Sequence, residues 1–545
     1  MKTITQLFLL VVLITFSCND KKDLTTKSSI YTDKNYSDLQ LEEATLTAYF
    51  KVNPETEPIK NEVYRFYRNR NFQYAWFTKK GMTQAVPNFY SQLESYSITF
   101  KDDSFSNPEL DTLITLIKTD KTSTNRREKS KEQLEVLLTT TFFKYSKKVY
   151  SGVAENLNQL DWFIPRNKKN YQVLLDSLVL TDKNHSTYEP FNQYYLNLKQ
   201  KLKEYRSIQE KGGFPKIETT KKLLLRNDKD SCLVKVKQLL VLTGDLSIND
   251  KTNFYTDSLV LAITRFQQRL GLPETGKIDA ETLNELKKPI DFRIKQIILN
   301  LERLRWIPVE FENNYLLVNI PEFKLHVFEN KKLIWTTNVV VGKEAKQTSI
   351  FKGALSQIVL NPYWNIPNSI VREEILPKLK QNASYLSKNN MEVLAGNQVV
   401  NPSKINWNSY KETIPFEIRQ KPGKNNSLGK IKFLFPNSFN IYLHDTPEKR
   451  LFNQTERDFS HGCIRVETPK KLALYLLRND KKWNPSKVEK TLATNQNIEI
   501  SINPSIPVYI TYFTAWVDNK GRLNFRNDIY NLDEQLEKEV FANEP

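Results

Sequence analysis

The stretch FSHGCIRVETP, residues 459–469, brings together residue types that are scarce in the rest of the chain. Of 545 residues only 3 are cysteine, 4 are histidine and 14 are glycine, yet His461, Gly462 and Cys463 are consecutive. A thiolate is a strong nucleophile, but a free thiol with a pKa near ~8.5 is only slightly ionised at neutral pH. A cysteine that performs nucleophilic chemistry therefore needs a histidine within hydrogen-bonding reach.

Two histidines are candidate proton acceptors for Cys463. His461 precedes it by two residues, and in an extended segment both side chains point to the same side. His444 lies 19 residues upstream in NIYLHDTP, where it ends a predicted strand that can hold its ring rigidly. Tyr442 is on the same face of that strand. A loop over residues 445–459 could return the chain to Ser460 and bring His444 against the thiol.

Gly462 allows the backbone beside the thiol to approach a ligand closely and to adopt angles that other residues avoid. The amides of Gly462 and Cys463 could then point at a carbonyl oxygen as it becomes an oxyanion. Thr468 and Pro469 are typical of a helix N-cap and a first-turn proline ahead of KKLALYLLRN. The sequence therefore predicts that Cys463 lies in a strand-to-helix connection, just before a helix begins.

The same residues allow other interpretations. His444, His461 and Cys463 could bind zinc with an open fourth position, although their spacings are unusual and no further cysteine is near. Cys463 could also be a buried cysteine beside a structural histidine, since a cysteine–histidine pair alone is a weak signal. A papain-like peptidase fits poorly because its cysteine precedes its histidine in the sequence. No cofactor is indicated by these residues.

The N-terminus predicts export. Lys2 precedes the apolar run LFLLVVLITF and then Ser17 and Cys18, the parts of a secretory signal over residues 1–18. The run is shorter than the ~20 residues that a membrane-spanning helix needs. Cys18 after a small residue resembles a lipoprotein processing site, at which the cysteine becomes the lipidated first residue; a plain secretory signal is the alternative. We expect a cell-envelope protein, periplasmic and anchored to a membrane through Cys18.

Lipidation of Cys18 would leave two thiols, Cys232 and Cys463, which could form a disulfide in an oxidising compartment. A dense disulfide scaffold is excluded by the count of 3 cysteines. Cys232 lies in DSCLVKVKQLL, an apolar helical context that is typical of a small buried hydrophobic residue.

The charge balance points to an anionic partner. The net charge is +18, from 80 basic and 62 acidic residues, which suits an acidic polymer or a membrane surface. The basic residues are scattered, and no run is long enough for a nucleic-acid-binding arm. We therefore expect no nucleic acid as a partner.

Composition and periodicity divide the rest of the chain into segments. Residues 19–40 are polar and without periodicity, as in a flexible tether. Residues 41–220 show the helical spacing of apolar residues. Residues 223–290 predict a compact unit of three helices, the third capped near Asp279. Over 312–530 the period changes to two, which predicts an antiparallel β domain.

Within that β domain, hairpin turns are predicted at residues 329–332 and 519–521. After Trp364 the strand signal lapses; IVREEILPKLKQNASYL is helical, and the residues that follow it are predicted as loop. A long insertion in a sheet domain is often a lid or a binding loop, so we interpret residues 370–422 as a cap.

The three-helix unit resembles the small peptidoglycan-binding domain, with an unrelated helical linker domain as the alternative. The residues that carry the resemblance lie in its second and third helices and between them: Ala262, Phe266, Gln267, Gly271, Leu272, Gly276, Ile278, Thr282 and Leu283. The resemblance implies that this unit binds the cell wall.

The pattern around Cys463 resembles the YkuD-type catalytic domain of L,D-transpeptidases. The signature of that domain is a histidine, a loop of this length and Ser/Thr-His-Gly-Cys, here His444 and then Ser460 to Cys463. Arg465 stands where many members have Asn, but Arg is usual in the large YcbB-like subgroup, which has an N-terminal helical domain. The resemblance to that subgroup extends over residues 41–535, through LERLRW, LLVNIPEFKL, VVVGK, LNPYWNIP, LGKIKFLFPN, YLHDTP and FTAWVD.

The resemblance implies an α+β multidomain fold: a helical scaffold domain, a peptidoglycan-binding domain and a β-rich catalytic domain with an inserted cap. It implies that Cys463 attacks the carbonyl between the third residue and the terminal D-alanine of a tetrapeptide stem. D-alanine leaves, and an amine on the third residue of a second stem resolves the thioester. No cofactor is implied, and carbapenems often acylate this cysteine in members of the family.

The resemblance also implies a role for each site residue. His444 would accept and donate the proton, and the amides of Gly462 and Cys463 would hold the oxyanion. The residues implied to shape the site or line the donor groove are His461, Ser460, Arg465, Tyr442 and Trp364. Three alternatives remain: an L,D-carboxypeptidase, a protein-to-wall attachment enzyme that uses the same cysteine, and a non-catalytic wall-binding lipoprotein.

Overall fold

The computed structural model describes residues 37–119, 124–154, 157–166, 169–180, 189–382 and 384–542. The predicted signal, Cys18 and most of the predicted tether lie outside the described residues. Within these ranges, no helix is both long and apolar enough to cross a membrane. The described residues divide into two compact units, the first made of those within 1–89, 107–143 and 172–185, and the second of all the others.

The N-terminal part of the chain is helical, as predicted, apart from three two-residue strands. Its helices are α1 (Glu43–Val52), α2 (Lys60–Asn69), α3 (Ala85–Phe100), α4 (Pro108–Thr119), α5 (Thr124–Tyr145), α6 (Tyr171–Leu180) and α7 (Gln193–Glu210). Its strands are β1 (Phe77–Thr78), β2 (Gly81–Met82) and β3 (Trp162–Phe163). In the first unit the buried Glu135 of α5 accepts hydrogen bonds from the amides of Ala75 and Trp76, which ties the β1 segment to this helix.

Three helices form the unit predicted over 223–290: α8 (Cys232–Leu242), α9 (Asp257–Leu270) and α10 (Ala280–Lys287). The side chain of Asp279 accepts a hydrogen bond from the Thr282 amide at 2.9 Å, so the predicted cap of α10 is present. Gly271, at φ +70°, ends α9. The next helix, α11 (Ile290–Arg305), is buried along most of its length. Cys232 is buried on α8, and it and Cys463 are free thiols rather than a disulfide.

The β-rich part follows α11. Its strands are β4 (Tyr315–Asn319), β5 (Lys324–Glu329), β6 (Lys332–Val340), β7 (Ile350–Leu360), β8 (Trp364–Asn365), β9 (Met391–Ala395), β10 (Gln398–Val400), β11 (Glu417–Gln420), β12 (Ile431–Leu434), β13 (Leu443–His444), β14 (Ile464–Val466), β15 (Ile498–Thr511), β16 (Ala515–Val517) and β17 (Leu523–Phe525). Its helices are α12 (Asn368–Ile370), α13 (Leu376–Gln381), α14 (Tyr385–Lys388), α15 (Pro469–Leu476), α16 (Pro485–Ala493) and α17 (Leu532–Val540). Both predicted hairpin turns are present, with Asn330, Lys331 and Gly521 at positive φ.

The main sheet has nine strands in the order β12-β13-β14-β6-β5-β4-β15-β7-β3, and β12 also pairs with β7. The expectation of an antiparallel sheet is wrong at three pairings, because β13–β14, β15–β4 and β3–β7 are parallel. Parallel neighbours need a long crossover connection rather than a hairpin. Residues 445–463 supply that connection between β13 and β14, and this places the two halves of the predicted site on adjacent strands.

The cap contains more regular secondary structure than the predicted helix and loop. Strands β8 to β11 form a separate four-stranded sheet in the order β10-β9-β11-β8, so the prediction of loop after the helix is wrong. A π-helical turn, Val371–Ile375, joins α12 and α13 into one continuous helical segment. Buried residues from this segment and the sheet share an apolar core that includes Ile375, Leu386, Val393 and Trp407. Gly396 and Asn397 form the two-residue turn between β9 and β10, a signal present in MEVLAGNQVV.

Candidate active site

The crossover brings the two histidine–cysteine segments side by side. His444 of β13 is paired with Arg465 of β14, and the Ile464 amide donates to the Tyr442 carbonyl at 3.1 Å. Side chains alternate along a strand, so residues two apart share a face. Cys463 and Arg465 therefore lie on the same face of the sheet as Tyr442 and His444.

Cys463 lies at the start of β14, with its thiol against β13. The thiol donates to the Asn440 carbonyl at 3.6 Å, and the amide and hydroxyl of Tyr442 both hydrogen-bond to the sulfur. The Tyr442 hydroxyl is also hydrogen-bonded to Trp364, the first residue of β8 in the cap sheet. Two residues predicted to line the donor groove thus meet at the predicted nucleophile.

Burial determines the charge state of the thiol. Desolvation raises the pKa of Cys463 above its usual value, while the Tyr442 hydrogen bonds and the charges of Lys432 and Arg465 oppose that rise. The resting side chain is therefore a thiol, and its reaction as a nucleophile requires a base.

His444 is buried and neutral. Its Nδ1 donates to the carbonyl of Asp445 at 2.5 Å, which leaves Nε2 free to accept a proton. Desolvation lowers the pKa of His444 to about 3, and the charges of Arg465 and Lys432 lower it too. The ring packs against Tyr442 with centroids 5.6 Å apart, so Tyr442 contacts both His444 and the thiol. No hydrogen bond joins His444 to Cys463 directly in this structure.

His461, the other candidate, is directed at the cap. Its Nε2 lies 2.9 Å from Oε1 of Glu374, in the π-helical turn. The neighbouring Glu373 forms an ion pair with Lys346, so a histidine–carboxylate contact and an ion pair link this turn to the rim of the site. His444, rather than His461, is thus the histidine that shares its surroundings with the thiol. Sequence reasoning missed Glu374, because nothing in a surface helix indicates which distant side chain it meets.

The backbone of the motif is held by Ser460 and Thr348. Ser460 Oγ accepts from the Gly462 amide at 3.1 Å and donates to the Cys463 carbonyl at 2.6 Å. Thr348 Oγ1 donates to the Gly462 carbonyl at 2.8 Å and accepts from the Gly342 amide at 2.9 Å. Gly462 has a φ of +109°, a region that L side chains rarely adopt.

These bonds correct part of the oxyanion prediction. The Gly462 amide already has Ser460 as its acceptor, so in this conformation it is not directed at a ligand. The Cys463 amide has no acceptor within the described ranges, so of the two amides predicted to hold the oxyanion it is the one that remains. Helix α15 begins at Pro469 as predicted, but β14 separates it from Cys463, and Thr468 bonds to Thr337 instead of capping it.

Lys432 completes the site and was not singled out in the sequence. It is the direct partner of His444 on β12, and its Nζ lies 4.0 Å above the centre of the Tyr442 ring. The alternation in KIKFLF places Lys432 opposite the apolar face of β12, but only strand pairing shows which residue it neighbours. Among the residues that the structure describes, no group of His, Cys, Asp and Glu could hold a metal ion, and the set His444, His461 and Cys463 is not such a group.

Comparison with known families agrees with this arrangement. Residues 313–489 match the L,D-transpeptidase catalytic domain of the YkuD type, residues 61–202 a scaffold domain, and residues 233–286 a putative peptidoglycan-binding domain. A protein of Haemophilus influenzae described as a putative L,D-transpeptidase is 38% identical over 244 residues, which are 44% of this chain and 49% of that protein. The match therefore spans about half the length of that relative.

Solved L,D-transpeptidase structures are more distant. The one from Stackebrandtia nassauensis is 12% identical, covers 55% of this chain and 96% of its own, and has a TM-score of 0.22. The one from Xylanimonas cellulosilytica is also 12% identical, covers 54% of this chain and 100% of its own, and has a TM-score of 0.18. TM-scores this low add nothing to the description of the fold.

The β-rich part of the chain is thus a YkuD-type L,D-transpeptidase catalytic domain. A scaffold domain and a peptidoglycan-binding domain precede it, which is the predicted α+β multidomain organisation.

Proposed function

We propose that this protein is a peptidoglycan L,D-transpeptidase that joins the third residues of two stem peptides through a thioester on Cys463. The observation that carries the proposal is the position of the Cys463 thiol. The sulfur is hydrogen-bonded to Tyr442, and it lies on the sheet face that also presents the neutral imidazole of His444. Acyl transfer to a thiol needs such a base, since the thiol is protonated at rest.

In the first half of the reaction, Sγ attacks the carbonyl carbon between the third residue and the terminal D-alanine. His444 Nε2 takes the thiol proton as the S–C bond forms, and the Cys463 amide donates to the oxyanion. The imidazolium then gives the proton to the leaving nitrogen, the C–N bond breaks, and D-alanine departs. A thioester on Cys463 remains.

In the second half, the side-chain amine on the third residue of another stem attacks the thioester carbon. His444 accepts the amine proton and returns it to sulfur as the C–S bond breaks. Water competes with that amine for the thioester, and closing an active site with a cap reduces such side reactions. The cap adjoins the thiol through the hydrogen bond of Trp364 to Tyr442 and the contact of Glu374 with His461.

The location of the protein is a separate part of the proposal. We propose an exported lipoprotein that is anchored through Cys18, with stem peptides as substrates and the peptidoglycan-binding domain on the wall polymer. Expression in a bacterial host, followed by mass spectrometry of the mature N-terminus, tests it. The expected result is that the wild-type protein carries a lipidated Cys18 and is found in the membrane fraction, while the Cys18→Ala variant is exported and soluble. An unprocessed N-terminus would contradict it.

Purified muropeptides that contain tetrapeptide stems test the reaction. Wild type and Cys232→Ala, which removes the buried thiol on α8, are expected to form dimers linked between third residues, while Cys463→Ala is not. Dimer formation that survives Cys463→Ala would overturn the proposal. Tripeptide monomers alone would identify the carboxypeptidase, and wall fragments on a protein lysine would identify the attachment enzyme.

Carbapenem exposure tests the nucleophile without a substrate. Wild-type protein is expected to gain the mass of one carbapenem on the tryptic peptide that contains Cys463, and Cys463→Ala to gain none. An unmodified wild-type protein that still binds purified wall would instead support the non-catalytic lipoprotein.

A further inference from the structure

A row of charged side chains crosses the sheet through His444. Glu499 of β15 pairs with Val359 of β7, which pairs with Lys432 of β12. Lys432 pairs with His444, and His444 pairs with Arg465 of β14. Directly paired residues lie on the same face of a sheet. The base beside the nucleophile therefore has a cation on each side of it.

Neither cation has an anionic partner. No ion pair within the described ranges includes Lys432 or Arg465, and the buried Nε of Arg465 has no hydrogen-bond acceptor. Glu499 and Glu448 influence them only at longer range. Desolvation lowers the pKa of both side chains, because both are partly buried. A partly buried charge without a partner is less well solvated than one in water, and an anion that entered this space would offset that loss.

Both cations also act on the thiol. Their charges favour the thiolate of Cys463, and Lys432 lies over the Tyr442 ring, whose hydroxyl is bonded to the sulfur. An anion held by Lys432 and Arg465 therefore lies beside the sulfur. In a bound donor peptide, that position belongs to the groups next to the carbonyl that the sulfur attacks.

We propose that Lys432 and Arg465 form an anion site that takes a carboxylate of the donor stem peptide and so selects donors. This inference rests on the proposed function. The terminal D-alanine carries a free carboxylate that is three bonds from the carbonyl attacked by sulfur. A guanidinium binds a carboxylate through two parallel hydrogen bonds, and an ammonium adds a point charge. A stem with a further residue after D-alanine lacks a carboxylate at this position, so the pair explains selection for tetrapeptides.

Occupancy of the site changes the base as well as the binding. The cations that lower the pKa of His444 are Arg465, Lys432 and Lys449, and Lys449 is already paired with Asp445. A carboxylate between the other two offsets their charge, and the imidazole then holds a proton more readily. His444 becomes a stronger base when a donor is bound.

The test compares three synthetic donor tetrapeptides: the free acid, the form with a C-terminal carboxamide, and the form amidated on the side-chain carboxyl of the third residue. The proteins are full-length wild type, Lys432→Met, Lys432→Arg, Arg465→Gln and the control Lys424→Met, which changes an exposed lysine just after the cap. The rate of Cys463 acylation is followed by intact mass. KM and kcat are separated by varying the donor concentration.

Wild type and Lys424→Met are expected to prefer the free acid over the C-terminal carboxamide by about tenfold or more in kcat/KM, mainly through KM. Lys432→Met is expected to reduce that preference to within about threefold, and Lys432→Arg to restore part of it, because these changes remove and replace one charge. If wild type acylates more slowly only with the donor amidated on the third residue, the site binds the side-chain carboxylate of that residue instead.

The inference is overturned if wild type acylates equally with all three donors, or if Lys432→Met keeps the wild-type preference. Either outcome leaves the proposed function intact, because acylation still occurs. If no donor and no carbapenem acylates Cys463 in wild type, the proposed function itself fails. Should Arg465→Gln not fold, the Lys432 pair of variants decides the question alone.

Discussion

At the scale of single residues, the site consists of a protonated thiol and a neutral imidazole in a buried, positively charged setting. Burial disfavours both charged forms, so it raises the pKa of Cys463 and lowers the pKa of His444. A preformed thiolate–imidazolium pair is therefore not the resting state. Charge appears only as the proton moves, when the cations and the Tyr442 hydrogen bonds stabilise the developing thiolate.

The buried imidazole makes stability depend on pH. The pKa of His444 is about 3 in the folded protein against 6.5 usually, so the unfolded chain binds this proton first as pH falls. The stabilisation is complete above pH 6.5 and is lost as pH falls toward 3. Between pH 7 and pH 5, wild type should lose about 2 kcal/mol more of its unfolding free energy than His444→Gln. Urea unfolding at both pH values measures this, and equal losses would contradict it.

Gly462 is expected to be needed for its backbone angle. Alanine at its φ of +109° strains the loop by roughly 1–3 kcal/mol, and the strain displaces Cys463. We expect Gly462→Ala to lower the rate of Cys463 acylation at least about tenfold, since small misplacements of reacting groups are costly. Gly521→Ala, at φ +74° in a distant turn with open space around it, is the control. It should lose stability but keep the rate; equal rates in both variants would refute the role of the angle.

At the scale of elements, the parallel pairing of β13 with β14 creates the site, and the cap completes it. The cap has its own apolar core, and it contacts the rim through Glu373–Lys346 and Glu374–His461. Partly exposed ion pairs contribute little to stability, typically 0–1 kcal/mol, but they fix the position of an element. The cap therefore behaves as a preformed module whose position over the site depends on one ion pair and one histidine–carboxylate contact.

Loss of the His461 pair should let more water reach the thioester. Glu374→Ala is expected to raise the ratio of tripeptide to cross-linked dimer by about two- to fivefold, with little change in thermal stability. High salt should shift wild type in the same direction, since it screens the neighbouring Glu373–Lys346 ion pair. Mass analysis of the muropeptide products measures the ratio. Glu412→Ala, an exposed cap residue, is the control; a ratio unchanged in Glu374→Ala would exclude a sealing role for this pair.

At the scale of the molecule, side-chain hydrogen bonds join the peptidoglycan-binding domain to the C-terminal end of the catalytic domain. Arg269 of α9 donates from Nε to the buried Asp245 at 2.8 Å and from its Nη1 to the Leu523 carbonyl at 2.6 Å. Arg526 donates back to the Arg269 carbonyl at 2.7 Å. The peptidoglycan-binding domain and Cys463 thus belong to the same compact unit.

Removal of that arginine should weaken the junction. Arg269→Met leaves Asp245 as a buried carboxylate without an ion-pair partner. We expect this to lower the free energy of unfolding by about 3–5 kcal/mol. The matched control is Arg226→Met, because Arg226 and Asp257 form an ion pair in the same domain with side chains 64% and 70% exposed. That change should cost at most about 1 kcal/mol. Thermal unfolding and protease cleavage between residues 287 and 315 measure the difference; equal effects would show that the junction does not depend on Arg269.

The sequence by itself pointed to Cys463 as the candidate nucleophile, and it determined the order of the domains, the helices of the peptidoglycan-binding domain and both hairpin turns. Those features depend on signals within a few residues: the SHGC motif, the cap at Asp279, the turn at Asn330. Sequence reasoning also brought His444, Tyr442 and Trp364 into the list of site residues. The tertiary structure places all three around the thiol.

Only the tertiary structure showed that His461 is directed at the cap, that the Gly462 amide is already bonded to Ser460, and that Lys432 and Glu374 lie at the site. The physical reason is that strand pairing and the position of the cap depend on contacts between residues far apart in the chain. Alternation gives the face of Lys432 but not its neighbour, and a crossover of residues 445–463 can return beside β13 or elsewhere. Packing of the whole sheet chooses among these arrangements.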